Sequence, residues 1–172
     1  MLNHVRHAVL LVFLILGSQD FIVTAQANSS RLIIPSIELD APIRTSPAPF
    51  VRRLRTWDFS KIKDEVALLQ WMPRFGEPGN SILAGHHRDR EGQPSTLYRL
   101  SEVQVGDLIL IQAGEQLLIY TVTEAFSTDD RDLSILRSSE DEKLTLFTCH
   151  GDYDLESKMY RQRFVVVAQR SG

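Results

Sequence analysis

The chain has 172 residues, 43% of them hydrophobic, which is enough to bury one core in a single domain; its 9 glycines and 7 prolines are spread out, with no long disordered tract. A formal net charge of −3 excludes an overall basic footprint for nucleic acid, and the cluster Arg52, Arg53, Arg55 is too short to reverse that. A single cysteine, Cys149, excludes an intramolecular disulfide framework.

Met1 to His7 carry Arg6 and two histidines, and Ala8 to Leu16 is an unbroken apolar run. Gly17 to Asp20 interrupt it, Phe21-Ile22-Val23 follows, and Ala25-Gln26-Ala27 offers the small residues that a signal peptidase accepts. The pattern predicts export. Residues 1–27 read as a signal peptide cleaved after Ala27, or as an N-terminal membrane anchor with Asp20 as a costly blemish, and residues 28–172 as the folded domain. In an exported protein a single unpaired thiol points to reactivity.

From Arg31 the chain changes to short β-type runs between turn residues. Arg31 to Leu39 reads as a first strand with Pro35 inside it, and Asp40 to Ile43 turns into a second. Asp64 to Gln70 reads as a short helix with Asp64 and Glu65 in its first turn. Phe75 to Asn80 is turn chemistry leading to a strand that ends at Ala84-Gly85-His86. Ser95 to Val103 reads as a short helical turn, and Leu108 to Gln112 and Gln116 to Thr123 as a hairpin. Ser127 to Arg131 is a charged loop, and Asp132 caps a short helix through Leu136. Leu144 to Cys149 carries apolar or β-branched residues on both parities, as in a strand covered on both faces. A loop from Gly151 to Met159 leads to a last strand, Gln162 to Gln169. The sum is a mainly β fold of about seven or eight strands with two or three short helices, a small closed barrel.

A lone cysteine is most often a small buried hydrophobe. Cys149 has the context of a nucleophile, which needs a proton partner and a donor for the oxyanion formed at a carbonyl. His86 ends its own strand beside the small residues Ala84 and Gly85. Arg163 follows Cys149 by 14 residues, a separation that suits two neighbouring antiparallel strands. A metal site built from His86, His87, Cys149 and His150 is disfavoured, since successive strand residues point to opposite faces and no zinc-ligand spacing is present. There is no Gly-x-Ser-x-Gly elbow either.

Ile82-Leu83-Ala84-Gly85-His86, Leu97-Tyr98-Arg99-Leu100, Val105-Gly106-Asp107, Tyr120-Thr121-Val122, Asp132 to Leu136, Leu144 to Cys149 and Arg163 to Ala168 together resemble a sortase, the cysteine transpeptidase family of Gram-positive and related bacterial surfaces. Ile34-Pro35-Ser36-Ile37 to Pro42-Ile43 resembles the family's first strands, so the likeness runs from about Arg31 to Ala168. The short N-terminal segment and compact barrel are similar to the smaller housekeeping or D-to-F type members. The resemblance implies a sortase-type β-barrel in which Cys149 attacks the Thr carbonyl of a Leu-Pro-x-Thr-Gly-like sorting signal. The acyl-enzyme thioester then passes to an amine of the cell wall or of another protein subunit. His86 would exchange protons with the leaving and incoming amines, Arg163 would hold substrate and stabilise the oxyanion, and Thr148 and Ala84 would line the groove. The histidine is assigned to His86 by its place after Ala84-Gly85, with His87 on the other face, and Arg163 is preferred to Arg161 by its spacing to Ala168.

The partners implied are surface proteins with a C-terminal sorting signal, at an extracytoplasmic, membrane-anchored or secreted location. No metal or cofactor is expected; Asp129-Asp130 reads as a solvated loop rather than a calcium site. An unperturbed thiol and imidazole titrate near about 8.5 and about 6.5, so thiolate with imidazolium is a minority form and turnover is expected to be modest. The competing reading is a sortase-like barrel that acts as a thiol hydrolase or only binds surface peptides.

Overall fold

The computed structural model describes residues 30–44, 47–51, 56–156 and 159–171. The export segment expected over residues 1–27 and the cluster Arg52, Arg53, Arg55 lie outside them. Pro35 decides the first turn. Its fixed φ and missing N–H end strand β1 (Arg31–Ile34) and open a 3₁₀ turn, Pro35–Ile37. Glu38, in the left-handed region at φ 54°, then sends the chain back as β2 (Leu39–Pro42). The single strand expected over residues 31–39 is therefore a hairpin, with Ile34 opposite Leu39.

Strands β3 (Phe50–Val51) and β4 (Thr56–Trp57) pair with each other in a separate small ladder. The helix expected over residues 64–70 is instead β5 (Ala67–Leu68), antiparallel to β6 (Gly79–Ala84). A four-residue apolar run, Val66 to Leu69, carries no period that separates helix from strand, and pairing on both sides decides it. Ala67 and Leu68 face Ala84 and Leu83, while Val66 and Leu69 bridge to Ile43 and Ala48.

The remaining strands are β7 (Leu108–Ala113), β8 (Gln116–Asp129), β9 (Glu142–Asp154) and β10 (Met159–Arg170). The short helices expected near residues 95–103 and 132–136 are the 3₁₀ turns Tyr98–Glu102 and Ser134–Leu136. Among the described residues no helix is long and apolar enough to cross a membrane. The two expected loops are largely strand. β8 continues to Asp129, and β9 and β10 continue past Gly151 as a hairpin. Gly151 and Asp152 together oppose Arg161 in a bulge, with Gly151 at φ +77° where only glycine is unstrained.

Eight strands form one curled, mainly antiparallel sheet in the order β2-β1-β7-β8-β10-β9-β6-β5, with β6 parallel to β9. Its two edges meet where the Arg44 N–H donates to the Val66 carbonyl (2.8 Å) and the Val66 N–H donates to the Pro42 carbonyl (3.0 Å). The central strands are covered on both faces, and successive side chains alternate between two apolar clusters. Leu83, Leu144, Leu146 and Val166 pack inside the barrel with Leu32 and Ile109, whereas Ile82, Ala84 and Phe147 pack outside with Ile62, Ala67 and Leu69.

Asn80 fastens the 3₁₀ turn before β9 to the foot of β6. It is 1% exposed; its amide donates to the carbonyls of Ile135 (3.1 Å) and Arg137 (3.0 Å), and its oxygen accepts from Thr145 Oγ1 (2.8 Å). Asn80→Ala leaves those groups without partners and is expected to cost about 3 kcal/mol, a fall in Tm of roughly 6–12 °C by calorimetry. An unchanged Tm would contradict the clamp.

Candidate active site

The alternation that fills the outer cluster also orients the thiol. Cys149 shares the outer parity of Phe147 on β9, while Thr148 and His150 face the other way. Arg163 is the direct cross-strand partner of Cys149, so its side chain leaves the same face of the sheet. β6 runs parallel to β9 with Ala84 opposite Phe147, and carrying that register two residues further puts His86 level with Cys149. Just beyond the last ladder pair, Thr148 Oγ1 donates to the Gly85 carbonyl at 2.9 Å and holds the chain leaving β6 against β9. β9 and β10 thus present the thiol and the guanidinium side by side on one face, and the chain leaving β6 carries the imidazole past the strand beside them.

Burial pushes the Cys149 thiol up; the positive charge of Arg163 pulls it back down, and Asp130, at the end of β8, pushes it up again. The Arg163 guanidinium is steadied by its own chain, Nη1 donating to the carbonyls of Tyr160 (3.1 Å) and Gln162 (2.9 Å). Arg161, the alternative arginine, is committed elsewhere: its Nε donates to Asp154 Oδ2 at 2.8 Å, and its Nη2 reaches the same oxygen. His86 Nε2 lies 3.2 Å from the Phe59 carbonyl. A carbonyl only accepts, so this contact is a hydrogen bond in the tautomer that carries the hydrogen on Nε2. An open cleft of about 490 Å³ lies beside His86, between Ser60, Lys63 and Asp64 on one wall and Arg88 and Arg90 on the other.

Ala84 and Thr148, the expected groove residues, are both buried, at 2% and 1% exposure. Ala84 belongs to the outer cluster under the site, whereas Thr148 faces inward and anchors Gly85. Gly85 is small for the sake of the core: a Cβ there would meet Leu97 Cγ at 3.0 Å and Val66 Cγ1 at 3.1 Å. Thr148→Val keeps the shape and removes the donor, and is expected to cost about 1–2 kcal/mol, read from urea denaturation; an unchanged midpoint would show the bond to be dispensable.

His87 packs with Tyr98 (ring centroids 4.8 Å) and edge-on to His150 (6.3 Å), so His87 and His150 meet away from the face that carries Cys149. Its Nδ1 is buried without a hydrogen-bond partner among the described residues, and burial pushes its pKa down. Two contributors were invisible in the sequence. Asp130 sat in an expected loop, and Phe59 lies in a stretch with no readable period.

A curled β sheet that carries one thiol and one guanidinium on paired strands, with one imidazole just past the end of the next strand, has the groups of a thiol-based acyl transferase. The comparisons agree. A family model described as Sortase domain matches residues 32–171. Sortase A of Listeria monocytogenes is 37% identical over 92 residues, covering 53% of this chain and 38% of that protein, so the chain matches well under half of the curated relative's length. Among solved structures, Listeria monocytogenes sortase A superposes with a TM-score of 0.65 at 23% identity, covering 85% of this chain and 88% of that one. A Clostridium perfringens sortase D5 transpeptidase gives 0.65 at 20% identity, covering 84% and 79%. Sortase C-1 from Actinomyces oris gives 0.66 at 22% identity, covering 83% and 73%. The chain belongs to the sortase family, whose members are cysteine transpeptidases acting on surface proteins at the cell surface. Structures named for types A, C and D fit nearly equally well, so the fold match is neutral as to class.

Proposed function

We propose that the chain is a transpeptidase acting through a thioester on Cys149. The thiolate attacks the Thr carbonyl of a Leu-Pro-x-Thr-Gly-like sorting signal, and the electron pair moves to an oxyanion faced by the Arg163 guanidinium. Collapse of that intermediate breaks the Thr–Gly amide, and the leaving amine takes its proton from the His86 imidazolium. An acceptor amine then attacks the thioester, His86 takes its surplus proton, and the Cys149 thiolate departs. The open cleft beside His86 gives the acceptor a route to the imidazole that does not cross Arg163. Thr148 serves by holding Gly85, and Ala84 by flooring the groove.

The observation that carries this reading is register: Arg163 stands opposite Cys149, and the β6–β9 ladder ends with Ala84 opposite Phe147, two residues before His86 and Cys149 respectively. The substrates are surface proteins bearing a C-terminal sorting signal. The acceptor is an amine of the cell wall or of another subunit. A leader or anchor over residues 1–27 places the barrel outside the membrane. No cofactor or nucleic acid takes part.

The test is product analysis of the full chain with a library of Leu-Pro-x-Thr-Gly-like peptides, with and without glycine or a diamine. Amide-linked peptide–amine product supports the transpeptidase. Free peptide acid alone at saturating amine makes the protein a hydrolase, and intact peptide throughout contradicts both.

A further inference from the structure

Phe59 lies between β4 and β5, packed on the outer face against Phe147 and beside His86. Its ring meets Phe147 edge-on, with centroids 6.5 Å and planes 81° apart, and both belong to the outer apolar cluster. Phe147 precedes Cys149 by two residues on the same face of β9. The carbonyl of the same Phe59 accepts from two donors, the Ile62 N–H at 3.0 Å and His86 Nε2 at 3.2 Å. The turn that aims it is braced on both sides: the Asp58 N–H donates to the Pro49 carbonyl at 2.8 Å, and Asp58 Oδ1 accepts the Ser60 N–H at 2.8 Å. Hydrogen bonds from Ser60 hold the Asp58 carboxyl below the usual range, so the brace is intact at neutral pH. One residue therefore fastens the imidazole to the thiol's strand, by its ring on one side and its carbonyl on the other.

We propose that Phe59 is a positioning residue for His86: its carbonyl holds the imidazole as the Nε2–H tautomer and leaves Nδ1 to exchange protons with the amines. The inference rests on the transpeptidase reading above. A carbonyl has no proton to give and its lone pairs are engaged, so a rotated ring or the other tautomer loses this bond. When Nδ1 takes the proton of the incoming amine, Nε2–H still donates to the same carbonyl, now as a charge-assisted bond. When Nδ1–H protonates the leaving amine, the neutral Nε2–H form returns. The ring thus cycles one proton at one nitrogen without turning over, which keeps the reacting geometry fixed.

The test compares the full chain with Phe59→Tyr, Phe59→Leu and Phe59→Ala, all labelled with ¹⁵N-histidine, assigning His86 by its loss in His86→Gln. Long-range ¹H–¹⁵N spectra are expected to show a persistent Nε2–H and an unprotonated Nδ1 in the wild type and in Phe59→Tyr. In Phe59→Leu and Phe59→Ala the Nε2–H signal is expected to broaden into exchange with water. Turnover is expected to follow, with kcat lowered roughly tenfold in Phe59→Ala, peptide KM nearly constant, and Phe59→Tyr close to wild type. A wild-type proton on Nδ1, kcat unchanged or raised in Phe59→Ala, or lost turnover with an unaltered His86 signal would each overturn the proposal. If Phe59→Ala does not fold, Phe59→Leu decides it by the same readings. Wild-type protein without any turnover would defeat the transpeptidase reading, while the spectra still decide the tautomer.

Discussion

Replacing Cys149 with alanine is expected to abolish acyl transfer, lowering kcat/KM by roughly four or more orders of magnitude while leaving the fold intact. The chain has no second cysteine to take over. Cys149 is also small, half-buried and outside both apolar clusters, so its removal leaves no sizeable cavity. Loss of turnover with a Tm within a few degrees of wild type is therefore the expected pair of results, measured by peptide cleavage and calorimetry. Retained turnover would sink the mechanism outright, since a thioester can form on no other side chain of this sequence.

Arg163→Ala is expected to lower kcat/KM by about 10²–10³-fold, the usual cost of removing one oxyanion donor. It carries a second, separable consequence. Burial raises the Cys149 thiol, and the guanidinium works against that by favouring the thiolate. Without it the folded-state pKa rises further, so the thiolate fraction at neutral pH falls and the alkylation rate with iodoacetamide climbs only at higher pH than in the wild type. Arg163→Lys separates the two roles. It restores the charge, and with it the alkylation profile, but not the planar donor fork, so turnover stays well below wild type. An alkylation profile that does not move in Arg163→Ala would place the guanidinium out of reach of the sulfur.

The three reacting groups were legible because each borders a short apolar run, where periodicity and chemistry coincide, although Cys149 and Arg163 stand inside β9 and β10 rather than at their ends. Ala84-Gly85-His86 announces the end of β6, whereas Leu144 to Cys149 reads as ending a strand that runs on to Asp154, and the 14-residue separation of Arg163 from Cys149 became a direct cross-strand pair. What sequence reasoning misplaced were segments whose structure comes from their neighbours. Val66 to Leu69 becomes strand because Ile43, Ala48 and β6 supply partners for both sides of its backbone. Tyr153-Asp154 and Met159-Tyr160 sit in a stretch polar and exposed enough to read as loop, yet they pair with one another beyond the Gly151 bulge. Small and hydroxylated residues near the site serve the scaffold rather than the substrate, a difference their positions in the sequence do not reveal. Gly85 makes room for Leu97 and Val66, and Thr148 reaches inward to a carbonyl. Phe59 left no trace in the sequence, since the carbonyl that meets His86 is one any residue possesses and the ring that packs on Phe147 lies in a stretch with no readable period.

The most direct measurement is intact mass spectrometry of the full chain incubated with the best-cleaved sorting peptide, followed by addition of an amine. Acyl transfer through Cys149 requires an adduct with the mass of the peptide up to and including Thr, mapped to that residue and discharged by the amine as an amide-linked product. A thiol that alkylates normally yet forms no adduct with any peptide, or an adduct located on another residue, would contradict it.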